Sequence, residues 1–140
     1  METKKYLKQL KRIDLMIKNK LQEIQQLREM LVSTGAKSKE VNVQTSTEYD
    51  KLGSAVAKIV DTEREINDMV NDYTNKRNLI ISQIDSIEDL DFYNVLSERY
   101  VFGKDWKTIE VNMNRSHRQV MSIHGKALLE FERMFGKTYM

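Results

Sequence analysis

Residues 111–129 carry no acidic side chain, while Arg115, Arg118 and Lys126 are basic and His117, Gln119 and Ser122 stand among them. Side chains of these types, grouped in this way, suit one chemistry. Arg pairs with guanine edges, Gln with adenine and Ser with either, and basic groups neutralise phosphates. Base reading is therefore assigned to Arg118, Gln119, Ser122 and His117. Phosphate contact falls to Arg115, Ser116, Lys104, Lys107, Thr108 and Lys126, with Ser116 adding its hydroxyl beside the free backbone N–H groups of a helix start. Double-stranded DNA is the expected partner.

Other chemistry has little support. The chain has no Cys, which excludes disulfides, thiolate metal sites and a cysteine nucleophile. His117 and His124 lie two turns apart along one helix, about 10 Å, too far to chelate one ion. His124 reads as a packing or surface histidine. The acidic run Asp61, Glu63, Glu65, Asp68 and Asp72 lacks the glycine and spacing of a calcium loop and reads as a solvated helix face. No Gly-rich phosphate loop or Ser-His-Asp arrangement is present. Neither enzymatic activity, a cofactor nor a metal is expected.

Two helices joined by a tight turn must position these residues, over residues 106–131. Asp105 is placed to cap the first, in which Ile109 and Met113 form an apolar pair behind Trp106. Asn114 can take the left-handed conformation that ends a helix, and Ser116 begins a Ser-x-x-Gln capping box with Gln119. In the second helix Val120, Ile123, Ala127, Leu128 and Phe131 recur at core-facing spacing. His117, Arg118, Gln119, Ser122 and Lys126 are left facing outward. A third helix, about 91–101, is capped by Asp89 or Asp91, presents Phe92, Leu96 and Tyr100 on one face, and is turned by Gly103. It supplies the core that two short helices lack, and Gly136 marks a stop at the far end.

The rest of the chain reads as helix. There is no Pro and only five Gly in 140 residues, so few positions resist helix. Tyr6, Leu10, Ile13, Ile17, Leu21, Ile24, Leu27 and Leu31 draw one stripe from roughly Thr3 to Ser33. Leu52, Val56, Ile59, Glu63, Ile66, Val70, Tyr73, Arg77, Ile80, Ile84 and Ile87 repeat in steps of four and three, a coiled-coil seam. Glu63 and Arg77 either fix its register or lie at its edge. Residues 34–49 read as a polar loop in which Gly35 can end the first helix, Val41 and Val43 offer at most a short extended piece, and Thr47-x-x-Asp50 announces the next helix.

Charge is unevenly placed. Residues 1–48 carry 10 basic and 6 acidic side chains, 49–90 carry 5 and 9, and 91–140 carry 8 and 6. Opposite signs on the first two segments favour folding one back along the other. The fold class expected is all-α: a long antiparallel helical hairpin, or coiled coil, in residues 1–88, followed by a three-helix helix-turn-helix domain in 89–140. A thin two-helix core leaves flanks such as Val60, Met69 and Ile81 open, so a homodimer through the coiled coil is expected. Met1 is followed by charge, and no apolar run has the length of a bilayer span, so a cytoplasmic location without membrane contact is expected.

Residues 95–134 resemble region four of the bacterial sigma-70 family. The shared features are Leu96, Arg99 and Tyr100 of a Leu-x-x-Arg-Tyr helix, a Gly bend, the Ile109 and Met113 pair, Ser116 at the cap, and Val120, Ile123, Lys126, Ala127 and Leu128. The whole layout is similar to small phage-encoded proteins of Gram-positive bacteria related to the ArpU and RinA group of late-transcription regulators. That resemblance implies transcriptional control through DNA in a bacterial host, with RNA polymerase as a further partner. Where this chain has His117, Arg118, Gln119 and Ser122, the sigma proteins mostly carry Arg, Glu, Arg and Gln, so the sigma target sequence does not carry over. Two other readings fit the same layout: an adaptor that binds polymerase or another protein without DNA, and the small subunit of a phage DNA-packaging motor, although that family usually places its DNA domain first.

Overall fold

Freedom from proline and sparse glycine give a chain that is almost wholly helical among the described residues. The computed structural model describes the backbone of residues 1–40 and 46–140 and the side chains of residues 1–33 and 50–140. Among the described residues there is no strand. The helices are α1 (Glu2–Leu7), α2 (Gln9–Glu40), α3 (Ser46–Asp85), α4 (Leu90–Leu96), α5 (Trp106–Met113) and α6 (His117–Phe135). A π-helical turn, Ser97–Val101, follows α4, and a 3₁₀ turn, Gly136–Thr138, follows α6.

The residues expected to form a loop at 34–49 are helical at both ends. α2 runs on through Gly35 to Glu40, and α3 begins at Ser46, so Thr47 sits inside the helix rather than at its cap. An interior Gly costs only about 1 kcal/mol against Ala, and Ala36, Lys37, Lys39 and Glu40 around it are residues that favour helix. Residues 41–45, including Val41 and Val43, lie outside the described residues, as does the side-chain half of the Thr47 and Asp50 box.

Packing divides the chain into two compact units, Asp14–Asp72 and a second made of Met1–Ile13 with Tyr73–Met140. The first thirteen residues group with the C-terminal helices. The reason is that Leu7 and Leu10 are buried in one core with Ile80, Ile84, Val95 and Leu96. Thr3 is fully buried as well, its hydroxyl 2.8 Å from the Tyr139 hydroxyl, and the Tyr6 hydroxyl donates to Gln83 Oε1 at 2.7 Å. The Tyr6 and Tyr139 rings stack with centroids 4.2 Å apart.

From α4 onward, local chemistry sets each boundary. The Asp89 carboxylate accepts from the backbone N–H groups of Asp91 and Phe92 and so caps α4. Instead of continuing as α-helix to 101, the chain widens into the π turn, where the Phe102 N–H donates to the Ser97 carbonyl. Leu96 and Tyr100 are buried and Phe92 half-buried, the shared face that their spacing predicts. Gly103, at φ +67°, makes the bend, a conformation that costs a glycine little. α6 ends at Phe135 for a different reason than a left-handed glycine. Gly136 is right-handed at φ −53°, and a Cβ there would stand 3.2 Å from Glu132 Cγ and 3.4 Å from Met140 Sδ.

In the unit Asp14–Asp72, Ile24, Ile59 and Ile66 are buried, with Ile17, Leu27 and Leu31 packed against them. Arg28 bonds Glu63 at 2.7 Å and Lys20 lies 3.5 Å from Glu65. Glu63, half-exposed in that pair, lies at the seam's edge. Other stripe residues remain open to solvent: Leu21 is 51% exposed and Val56 49%.

Candidate functional site

The turn between α5 and α6 is fixed at three successive points. Asp105 accepts from the Thr108 backbone N–H at 2.8 Å and starts α5. Hydrogen bonding from Thr108, through its side chain first and its backbone N–H second, holds the Asp105 carboxyl below its usual range. Asn114, left-handed at φ 54° and ψ 49°, ends α5, and its own N–H together with that of Arg115 reaches back to the carbonyls of Val111 and Glu110. Ser116 then closes the capping box: its Oγ accepts from the Gln119 N–H at 3.2 Å, and Gln119 Oε1 accepts from the Ser116 N–H at 3.0 Å. Two orphan donors at the helix start are thereby satisfied.

Beneath the turn, Ile109, Val120, Ala127 and Phe131 are fully buried and Leu128 nearly so. His124 belongs to this core. Its Nε2 lies 2.7 Å from the Tyr100 hydroxyl, and its ring meets Trp106 edge-on at 4.7 Å. Burial, with Lys4, Arg99 and Lys8 nearby, lowers the His124 pKa to about 4, and burial pushes Tyr100 up to about 12. At neutral pH the phenol keeps its proton and donates it to an uncharged imidazole. Arg99 stands over the Trp106 ring, 4.4 Å from its centroid, and donates to the Lys104 carbonyl at 3.1 Å. This ties the 102–105 bend to the start of α5.

The ten residues assigned to contact stand in different states. Arg118, Ser122, Lys126 and Lys107 are exposed, and none makes a hydrogen bond or ion pair with the described residues. Thr108 is exposed, with its backbone spent on the Asp105 cap. Ser116 and Gln119 are exposed but bonded to each other, so the Gln119 amide is not free to meet an adenine in this conformation. The remaining three are held by carboxylates. Arg115 lies 3.0 Å from Asp91, Lys104 3.3 Å from Glu98, and His117 Nδ1 2.7 Å from Glu110.

Asp91, Glu98 and Glu110 are the residues that spacing did not reveal. Glu98 is the least expected, a carboxylate buried on the π turn. Its Oε1 accepts from Lys104 Nζ and Asn112 Nδ2, both at 3.3 Å, while Oε2 is buried without a hydrogen-bond partner among the described residues. Only the Glu110 and His117 pairing had a signal in the sequence, since α5 and α6 are joined by so short a turn that residues flanking it must meet. Among the described residues no three His, Cys, Asp or Glu side chains gather as a metal site, and no helix is long and apolar enough to cross a membrane. No protein family, curated protein or solved structure matches the chain.

Proposed function

We propose that the chain is a duplex-DNA-binding transcriptional regulator. Residues 89–140 act as a helix-turn-helix unit similar to sigma region four, and α6 is the reading helix. The N-terminal end of α6 enters the major groove, Arg118 and Ser122 meet base edges, and Lys107 and Lys126 meet phosphates. α2 and α3 pair as an antiparallel hairpin that brings two such units together, so that two weak half-site contacts become one strong one. The resemblance of its sequence layout to the ArpU and RinA group of phage regulators supports transcription as the process served, with host RNA polymerase as a second partner.

The observation that carries this reading is the state of α6. Its first three turns present Arg118, Ser122 and Lys126 to solvent, with no internal partner among the described residues, behind a turn locked by a capping box and a left-handed Asn. A rigid scaffold under unengaged polar groups is what groove reading requires. The test is selection of bound duplexes from a random pool. A palindromic site supports a dimeric regulator; recovery of no preferred sequence removes the base-reading role.

One observation favours an adaptor without DNA. Three of the expected contacts are paired with carboxylates, and Phe102, ahead of α5, and Val111, within it, are 63% and 78% exposed. Large open apolar side chains suit a protein surface better than a phosphate backbone. Salt dependence separates the two readings, since release of counterions from DNA gives a steep slope and a protein interface does not.

A further inference from the structure

One flank of the unit Asp14–Asp72 is built to meet a second copy of itself. On α2, Leu21, Gln25, Arg28 and Val32 step by four, three and four; on α3, Val56, Val60, Glu63, Asn67 and Val70 do the same, so each set shares one face of its helix. The two faces adjoin. Leu21, Gln25 and Arg28 line a groove of about 420 Å³ together with Glu63 and Asn67, and Ile24 and Ile66 form its floor. At its centre Arg28 and Glu63 are bonded at 2.7 Å, yet both stay roughly half-exposed. The opposite flank is different, because Lys20 there bonds both Glu23 and Glu65.

Along this flank the pattern reads apolar, polar, apolar. Leu21 and Val70 lie toward one end, Arg28, Glu63, Gln25 and Asn67 in the middle, and Val32, Val56 and Val60 toward the other. All five apolar side chains are between 41% and 74% exposed. A surface with that order is complementary to its own copy turned by a two-fold axis that runs parallel to the helices. The Leu21 and Val70 end of one copy then meets the same end of the other, and the Val32, Val56 and Val60 ends meet likewise. The central Arg28 and Glu63 of each copy come together as an alternating four-charge cluster, opposite charges adjacent. Charge decides the register further. Residues 50–72 carry 6 acidic and 3 basic side chains and residues 14–33 carry 3 of each, so setting α3 against the partner's α3 is repulsive and setting it against the partner's α2 is not.

We infer that this flank, centred on Arg28 and Glu63, is the interface of a two-fold symmetric dimer in which α2 of each copy packs against α3 of the other as a four-helix bundle. The inference stands apart from the DNA reading, because it concerns a unit that contains none of the proposed contact residues.

Sedimentation equilibrium of the full chain over a concentration series tests it. The expected result is a dimer whose dissociation constant rises by on the order of 100-fold in Val60→Asp/Val70→Asp, with helical circular dichroism retained because both positions are already open to solvent. Arg28→Glu alone weakens the dimer, and Arg28→Glu with Glu63→Arg restores it. Leu129→Asp, an exposed apolar residue on α6, leaves it unchanged. A chain that stays monomeric at about 100 µM, far above the dissociation constant of a stable dimer, overturns the inference. So does a dimer that survives Val60→Asp/Val70→Asp with its dissociation constant intact, since another surface then joins the copies.

Discussion

Ser116 and Gln119 hold one another at the start of α6, the Ser hydroxyl accepting from the Gln backbone and the Gln side chain accepting from the Ser backbone. The pairing places a residue expected to read bases in a structural role instead. It also fixes the direction in which Arg118, between them, leaves the helix. The cap and the reading face are thus one construction, and losing the first should degrade the second.

Ser116→Ala removes one half of the box and is expected to cost about 1 kcal/mol of stability. Gln119→Glu keeps an acceptor at the third position of the box and adds a favourable charge at a helix start, so its stability should match the parent. Urea titrations of the two variants check this. A Gln119→Glu chain as destabilised as Ser116→Ala would mean that the Gln119 amide contributes through something other than the cap.

His124 predicts an acid sensitivity. Its folded pKa, about 4, lies below the ordinary 6.5, so the unfolded chain binds more protons between those values. Stability is therefore complete above about pH 6.5 and falls as the pH drops toward 4. A shift of this size corresponds to at most about 3 kcal/mol. His124→Phe should lose the part of the pH slope between 4 and 6.5 in denaturation experiments; a slope unchanged in that variant would assign the effect to other groups.

The first 13 residues should matter to the C-terminal helices although they lie at the other end of the sequence. Leu7 is fully buried in the same core as Phe131 and Ile109. Leu7→Ala is expected to cost about 2–5 kcal/mol. Hydrogen exchange should show α4 and α6 amides losing protection together. Protection lost in α2 alone would contradict the shared core.

Three carboxylates hold three of the candidate contact residues, and releasing them has a direction. Asp91→Asn frees Arg115, and Glu98→Gln weakens the hold on Lys104. Each is expected to tighten duplex binding several-fold and to steepen the salt dependence by about one unit. Glu130→Gln, whose partner is Arg133, serves as the control for a change of net charge alone. Equal tightening in the control would reduce the effect to long-range charge.

What the sequence made legible is the set of features that depend on neighbours in the chain. Asp105, Asn114, the Ser116 and Gln119 box, Asp89 and Gly103 were all readable, because each acts within a few residues of itself. The core positions Val120, Ala127, Leu128 and Phe131 followed from helical period. Contacts across the chain were not readable. Nothing local in Thr3 points to Tyr139, 136 residues away, and nothing in Asp91 points to Arg115. The π turn was also hidden, since Ser97–Val101 carries ordinary helix-compatible residues. For the site, the outward placement of Arg118, Ser122 and Lys126 could be derived; the pairing of Arg115 with Asp91 and of Lys104 with Glu98 could not.

The most direct measurement of the central claim is fluorescence anisotropy of a labelled random-sequence duplex titrated with the full chain across a salt series. DNA binding through α6 predicts saturable binding at about 50 mM salt that falls steeply and linearly on logarithmic axes as salt rises. Arg118→Ala should weaken that binding and Lys107→Ala should lower the slope by about one unit. Undetectable binding at about 50 mM salt, or binding indifferent to salt and to Arg118→Ala, would contradict it.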